Sequence, residues 1–376
     1  MRIYYVANAR MPTEKAHGIQ IAKMCEALIE AGAEVELVVP RRGRTDRTVK
    51  DFYNLRVEIP TARIWTPDWY GYGRLGFWAS SLFFMCGYAR YIRRKGKAGE
   101  KGLVWAIDVD QFSFFFIPFL GMPYIAELHD AKPWTTPFFF LLRRARTIIV
   151  INNLIKEKLV RIYGIDANRI AVHPNGIDLL DFSGDIAKSE ARHFLNLPRD
   201  EKIVLYVGRF YPWKGLGILS RAGEMAEEAT FYLVGGSREK YLEVTNSPPP
   251  LNMRCIGQRE HKEIPYWLAA ADLVLVLGTM KVEYSYLHTS PMKLFEYMAS
   301  RRPIIAADTP ANRQIVSDKE AFFYKADDPA ELGTQIRYVL SQRQEASEKA
   351  EAAFQKVPQF TWSKRAESIL KTFSHS

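Results

Sequence analysis

Val204-Leu-Tyr-Val-Gly-Arg-Phe-Tyr-Pro-Trp-Lys-Gly215 is the stretch whose reading decides the fold. An apolar run of strand length enters Gly208, then Arg209, then a Lys214–Gly215 pair that opens the next helix. A continuous apolar run, without alternation, is the pattern of a parallel strand buried on both faces. Gly208 allows a close approach where a side chain would block it. Arg209 and Lys214 place two cations at the turn, beside a helix N-terminus, and that suits an anion such as a diphosphate. Neither the Walker pattern G-x-x-x-x-G-K-[ST] nor the dinucleotide pattern G-x-G-x-x-G is present. Taken alone, an ordinary strand–loop–helix with surface cations stays open.

The same alternation continues on both sides. Toward the C-terminus, strands are predicted near 202–208, 230–235, 253–256, 273–276, 303–306 and 321–324, with helices at 261–270 and 291–300. Toward the N-terminus, strands are predicted near 2–7, 34–39, 103–107, 123–127 and 147–151. A helix over 19–30 carries Ile21, Met24, Cys25 and Leu28 at helical spacing. This predicts an α/β protein with two doubly wound, Rossmann-like domains facing a central cleft. The expected boundaries are 1–180, a polar linker at 181–200, a second domain at 201–357, and a closing segment at 358–376. No repeat of 20–50 residues is present, which excludes a solenoid.

Size and composition agree. A chain of 376 residues suits two domains, and 48% hydrophobic with 25% charged residues is ordinary globular composition. The three cysteines, Cys25, Cys86 and Cys255, are too far apart for a disulfide framework or a zinc site. The start reads as a buried strand and not as a signal peptide, so a cytoplasmic location is expected. Residues 1–180 hold 26 basic against 17 acidic groups, nearly all of the net charge of +10. An anionic partner for the first half is implied.

Three further signals are local. In Tyr286-Leu-His-Thr-Ser-Pro-Met-Lys-Leu-Phe-Glu296, Thr289 or Ser290 can cap a helix that has Pro291 in its first turn. Glu296 on that apolar helix needs a partner, and a ribose diol would serve. Tyr124-Ile-Ala-Glu-Leu-His-Asp130 sets His129 and Asp130 at a strand's carboxyl edge. Asp108-Val-Asp110 is a D-x-D triplet, the pattern of a divalent-metal site, but the rest of the chain reads as two sheets, and no metal is expected.

The aromatic stretch 65–91 lies between basic clusters. Arg41, Arg42, Arg44 and Arg47 precede it, and Arg90, Arg93, Arg94, Lys95 and Lys97 end it. Arg143, Arg144 and Arg146 form a third cluster. Cations mixed with aromatics suit an anionic membrane surface, although about half of these aromatics are expected in the core. No nucleic-acid motif is present, and no nucleic-acid partner is expected.

In order and spacing these residues resemble the GT-B glycosyltransferases, most closely glycosyltransferase family 4. The resemblance rests on Ala16-His17-Gly18, 127–130, Pro174-Asn-Gly-Ile-Asp178, 207–215, Gly235-Gly236, Ala270-Ala-Asp272, 290–306 and Phe360-Thr-Trp362. It implies that Arg209 and Lys214 hold the donor's diphosphate and that Gly208 serves the same turn. Glu296 matches the second glutamate of the family's E-x7-E motif, which contacts ribose. Thr289 and Ser290 match the segment near phosphates and sugar, and His129 the histidine beside the donor sugar. Gly18 matches the first domain's donor-facing loop, and Arg254, Ile256 and Gly257 would flank the base. Two positions depart. His288 stands where the motif has its first glutamate, which puts the donor sugar in doubt, and Lys293 stands where proline is commoner.

The resemblance implies a retaining, metal-independent glycosyltransferase with no cofactor, taking a UDP- or GDP-sugar. Its expected acceptor is lipid-linked or a surface glycan in polysaccharide biosynthesis, and its expected place is the inner face of the cell membrane. A front-face displacement fits, because no second carboxylate is placed to act as nucleophile. Two rivals remain: a non-hydrolysing sugar-nucleotide epimerase of the same architecture, and a non-enzymatic membrane-associated scaffold.

Overall fold

The computed structural model describes residues 1–43, 47–182 and 186–374, which form two units. One takes residues 1–175 with the closing helix Trp362–Ser374, and the other takes Gly176–Thr361. Arg44 of the first basic cluster lies outside the described residues.

Each unit is built on one parallel sheet. In the first unit the strands are β1 (Arg2–Val6), β2 (Glu34–Pro40), β3 (Thr61–Ile64), β4 (Leu103–Ile107), β5 (Tyr124–Leu128), β6 (Thr147–Val150) and β7 (Ile170–Val172). Their spatial order is β3-β2-β1-β4-β5-β6-β7. In the second unit they are β8 (Lys202–Val207), β9 (Ala229–Val234), β10 (Met253–Gly257), β11 (Leu273–Val276), β12 (Ile304–Asp308) and β13 (Phe322–Lys325). Their order is β10-β9-β8-β11-β12-β13.

The apolar runs have a direct cause. Along β8, Ile203, Leu205 and Val207 enter one buried cluster, and Val204 and Tyr206 enter another. Successive side chains point to opposite faces, so a sheet covered on both faces needs apolar residues at every position. β4 and β5 are likewise buried throughout. Each fully buried Val, Leu or Ile contributes about 1.5–3 kcal/mol.

The strand order reverses between β1 and β4, and again between β8 and β11. Ligands of such sheets bind beyond the strands' carboxyl ends at these reversals. In the first unit that edge carries residues 7–20 and 108–110. In the second it carries 208–215 and 277–291.

β3 and β7 were not predicted. They are sheet-edge strands of four and three residues, mostly only half-buried, so neither shows an apolar run. Residues 181–200, predicted as a linker, contain the helix Lys188–Phe194. There Arg192, 3% exposed, donates to the carbonyls of Ala270 and Glu201 (3.1 and 2.8 Å) and to Asp272 (2.9 Å). The polarity that looked like a solvated linker is used to dock this helix on the second unit.

Candidate functional site

Glycines shape the carboxyl edge of the second sheet. The Gly208 amide donates to Val234 O at 2.8 Å. Gly235 has φ +127°, and a Cβ there would stand 2.3 Å from Gly208 O. The Gly257 amide donates to Gly236 O at 3.0 Å. The ends of β8, β9 and β10 are thus hydrogen-bonded backbone to backbone, and at Gly235 the approach leaves no room for a side chain. Ile256 and Gly257 belong to this edge. Arg254 does not join them. It is exposed, 3.8 Å from Glu201 and 5.6 Å over the Tyr232 ring, and Glu201 precedes β8.

Arg209 is half-buried on the turn after Gly208. Lys214 ends the short helical turn Pro212–Lys214. Gly215 follows at φ +76°, where a Cβ would come within 2.9 Å of Gly278 O, so the turns after β8 and β11 lie against each other. Lys214 Nζ lies 4.2 Å over the Trp213 ring. Trp213 stacks on Tyr211 at 5.8 Å and meets Tyr284 edge-on at 5.2 Å. Burial, and then the like charge of Lys293, push the Lys214 ammonium down to about 8. No carboxylate pairs with Lys214 among the described residues. Cations gathered in this way would be relieved by a bound anion. The aromatic platform was not predicted, although Tyr211 and Trp213 lie within the deciding stretch.

His288 closes a π-helical turn, Tyr284–His288, and is 2% exposed, with Nε2 3.9 Å from Glu283 Oε1. Thr289 continues in extended conformation, and Ser290 is buried. The predicted side-chain cap is corrected here. Pro291 itself occupies the capping position of the helix Met292–Ala299, and no side chain caps it. Proline has no side-chain acceptor to offer the first-turn amides. Glu296, 6% exposed, takes Lys293 Nζ on Oε2 at 2.7 Å. Lys293 thus touches the carboxylate expected at the ribose and also repels the lysine expected at the diphosphate.

In the first unit Gly18 is buried under Thr13 and Tyr53. A Cβ there would stand 2.2 Å from the Tyr53 hydroxyl oxygen and 2.5 Å from Thr13 Cγ2. Its bareness serves the chain's own packing.

His129 lies just beyond β5. Its Nε2 is 2.9 Å from Glu127 Oε1, and its Nδ1 is 3.4 Å from Asp108 Oδ1. Asp108 follows β4 at φ +52°, and its Oδ2 is 3.1 Å from His17 Nδ1. Glu127 is fully buried, and it accepts from Arg365 Nη2 on Oε1 and Trp105 Nε1 on Oε2, both at 2.7 Å. Burial opposes its ionisation, yet Arg365 and then His129 prevail and hold it down at about 2. Burial also works against a charged His129, but Asp108 and then Glu127 outweigh it and raise its pKa.

Of the D-x-D pair, Asp110 accepts the amides of Phe112 and Ser113 as a helix cap, and Asp108 faces two histidines. No group of three or more His, Cys, Asp or Glu among the described residues could hold a metal ion. Gln20, whose Nε2 lies 2.8 Å from His129 Nε2 and donates to Asn175 Oδ1 at 2.8 Å, and Arg365 were not singled out from sequence, while Glu127 and Asn175 lay in quoted stretches with no role given to them. Arg365 stands 238 positions from Glu127, and no local pattern joins them.

The helix Gly73–Lys97 carries a two-part exposed stripe. Leu75, Trp78, Leu82 and Phe83 lead it, and Arg90, Arg93, Arg94 and Lys97 end it. Phe84 and Tyr88, on its other face, are buried. Trp65 and Trp69 meet Phe83 edge-on at 5.8 and 6.1 Å, and Trp78 stacks on Phe112 at 5.2 Å. No helix among the described residues is long and apolar enough to cross a membrane.

Comparison with known proteins gives concordant findings. Residues 18–180 match the family model described as Glycosyltransferase Family 4, and 187–356 match Glycosyl transferases group 1. The chain is 26% identical over 243 residues to D-inositol 3-phosphate glycosyltransferase 2 of Catenulispora acidiphila, covering 58% of this chain and 54% of that one. It is 27% identical over 197 residues to a putative teichuronic acid biosynthesis glycosyltransferase of Bacillus subtilis, covering 50% and 47%. The match thus spans about half the length of these curated relatives. Among solved structures, sucrose-phosphate synthase from Thermosynechococcus elongatus superposes with TM-score 0.77 at 20% identity, over 100% of this chain and 98% of that one. HepE of Anabaena, solved with UDP and glucose, superposes with TM-score 0.75 at 18% identity, over 100% and 99%. At such identities the likeness is one of fold.

Proposed function

The chain belongs to the group 1 glycosyltransferases of the family 4 type, with the GT-B fold, and we propose that it moves a sugar from a nucleotide-diphosphate sugar to a glycan or lipid-linked acceptor. The observation that carries this reading is the pair Lys214 and Lys293 beside Glu296 at the carboxyl edge of the second sheet. Two ammonium groups near each other with one buried carboxylate match a ligand that has a diphosphate and a diol. Arg209 and Lys214 stabilise the negative charge on the departing diphosphate. In this role they do the work of a metal ion, so the reaction runs without one. Acceptor attack on the face the diphosphate leaves gives retention. By the family resemblance, His129 is assigned to the donor sugar.

The donor is a UDP- or GDP-sugar. A thermal-shift series with UDP, GDP and ADP, followed by transfer assays with the matching sugars, tests this. Stabilisation by one nucleoside diphosphate, lost in Arg209→Ala with Lys214→Ala, is the expected result. No shift with any of them refutes the reading.

The stripe on the helix Gly73–Lys97 supports docking on an anionic membrane at the cell's inner face, which would bring a lipid-linked acceptor to the enzyme. Its aromatic half would enter the interface while its basic half meets headgroups, at about 1 kcal/mol per cation. Lys95 is committed to Glu36 and Glu100 (3.7 and 3.4 Å), and Arg93 donates to Phe119 O (3.1 Å). Arg90, Arg94 and Lys97, all exposed, are therefore the ones to reverse to glutamate. Release of the triple variant from phosphatidylglycerol vesicles, with nucleotide affinity intact, is expected. Wild-type protein that ignores such vesicles even at low salt rules out the docking.

A further inference from the structure

The buried charges of the first unit form a ladder that no motif announces. Arg365, 5% exposed, comes from the closing helix Trp362–Ser374. Its Nε donates to Pro174 O at 2.9 Å, and its Nη1 lies 2.9 Å from Met24 Sδ. Its Nη2 meets Glu127 Oε1, which also meets His129 Nε2. Along Arg365, Glu127, His129 and Asp108 the charge alternates in sign. Each step places opposite charges in contact, which is the condition for burying Arg365, Glu127 and His129, and the half-buried Asp108 ends the ladder.

The two nitrogens of His129 are held unequally. Nε2 is 2.9 Å from a carboxylate that Arg365 and Trp105 fix in place, and 2.8 Å from the side-chain amide of Gln20, which is itself held by Asn175 Oδ1 at 2.8 Å. Nδ1 is 3.4 Å from Asp108, beyond a good hydrogen bond, and the side chain is 11% exposed. We propose that Arg365 and Glu127 are positioning residues for His129, anchoring Nε2 so that Nδ1–H is the proton offered to the substrate. The closing helix is then part of the reacting geometry of the first unit. This rests on the reading of the chain as a glycosyltransferase with His129 beside the donor sugar.

In that role His129 is the imidazolium, the form that burial opposes but that Asp108 and then Glu127 favour. Several charged or titratable groups face it or act on it from the elements around it. Asp108 follows β4 and is itself paired with His17 of the helix Ala16–Glu30. Glu127 lies on β5, Arg365 on the closing helix, and His173 beyond β7. Lys132 donates to the carbonyls of Asp108 and Val109 at 3.1 and 2.6 Å. His173 is held down at about 4 by burial and then by Arg365, so it stays neutral through the working range.

The test follows His129 by NMR in the full chain labelled with ¹⁵N-histidine, with His129→Gln used only to assign its signal. The double variant Glu127→Gln with Arg365→Met removes both charges of the pair, leaving neither orphaned. Its His129 midpoint should fall by about one unit, a tenfold change in proton affinity. The alkaline limb of the activity profile should move down with it. kcat should fall about tenfold at fixed pH, with KM for the donor little changed, the pattern of a lost transition-state contact. The single variant Arg365→Lys, which keeps Glu127 and the cation beside it, should keep the wild-type limb.

Glu127→Asp keeps every charge and draws the carboxylate back one methylene. It serves if the double variant does not fold, and it should lower both the midpoint and kcat. A folded variant of either kind with an unchanged midpoint overturns the proposal. So does a shifted midpoint with unchanged kcat and pH profile. The midpoint needs no substrate, so a protein that transfers no sugar fails the functional reading and still tests the positioning.

Discussion

At the carboxyl edge of the first sheet, Arg365, Glu127, His129 and Asp108 alternate in sign, each touching its opposite. At the equivalent edge of the second sheet, Lys214 and Lys293 repel each other, and among the described residues Glu296 alone answers one of them. The first arrangement is complete without a ligand. It spends its electrostatics on holding groups still. The second holds unfavourable charge that an anion would relieve, so it is built to bind. The same fold thus carries a fixed edge and a receptive edge, and side-chain charge alone makes the difference.

The sharpest way to break this contrast is to take one charge out of the paired network. Arg365→Ala takes the guanidinium from the buried Glu127 and leaves it with His129 and Trp105 as partners, a broken buried pair that costs about 3–5 kcal/mol. For a unit of this size that lowers the unfolding midpoint by on the order of 10 °C. Loss of a half-buried cation from the second edge should do nothing of the kind. Calorimetry on Arg365→Ala and Lys214→Ala compares them directly, and equal losses of stability would erase the distinction.

Activity should show the reverse. Arg209→Ala or Lys214→Ala should lower kcat on the order of 10²–10³, as expected when a group that stabilises developing charge is removed. Thermal unfolding should hardly change. Near-normal turnover in both variants would remove them from the reaction.

The pH dependence of nucleotide binding follows from Lys214. Its folded value lies below the unfolded one, so its charge costs stability below about 8. That cost fades as pH rises from about 8 toward the ordinary lysine value. A bound diphosphate favours the charged form. Affinity should therefore be flat below pH 8 and fall up to about tenfold per unit above it, with proton uptake on binding. Titration calorimetry in buffers of different ionisation enthalpy measures that uptake.

Lys293→Met should give a smaller effect, of about 1–2 kcal/mol in each direction. Diphosphate binding should weaken, while binding of the bare nucleoside should strengthen as Glu296 loses its competitor. If nucleoside affinity also drops, Lys293 does not compete for Glu296. The smallest effect belongs to the D-x-D. Asp110→Asn keeps a good helix cap and should leave activity within about twofold, with or without EDTA. Strict dependence on added Mg²⁺ or Mn²⁺, lost in this variant, would move charge stabilisation to a metal.

Much of the fold was legible because a parallel sheet covered on both faces requires apolar residues without interruption, and β1, β4, β5, β8 and β11 show such runs. The edge strands β3 and β7 were not legible, since half-buried strands of three or four residues leave no such trace. Polarity misled at Lys188–Phe194, where buried charge resembled a solvated linker. The glycines and cations after β8 were legible because backbone approach and phosphate charge act over a dozen consecutive residues.

What the chain alone determined is therefore local: strand periodicity, the bare turn at Gly208, and the cations Arg209 and Lys214. Only the tertiary structure decided which charges meet. Lys293 turns toward Glu296, Arg254 is drawn to Glu201, and Gly18 is covered by Tyr53. Arg365 reaches Glu127 across 238 positions of sequence. Burial cost and Coulomb attraction depend on distance through space, and a linear order of residues carries no such distances until the chain has folded.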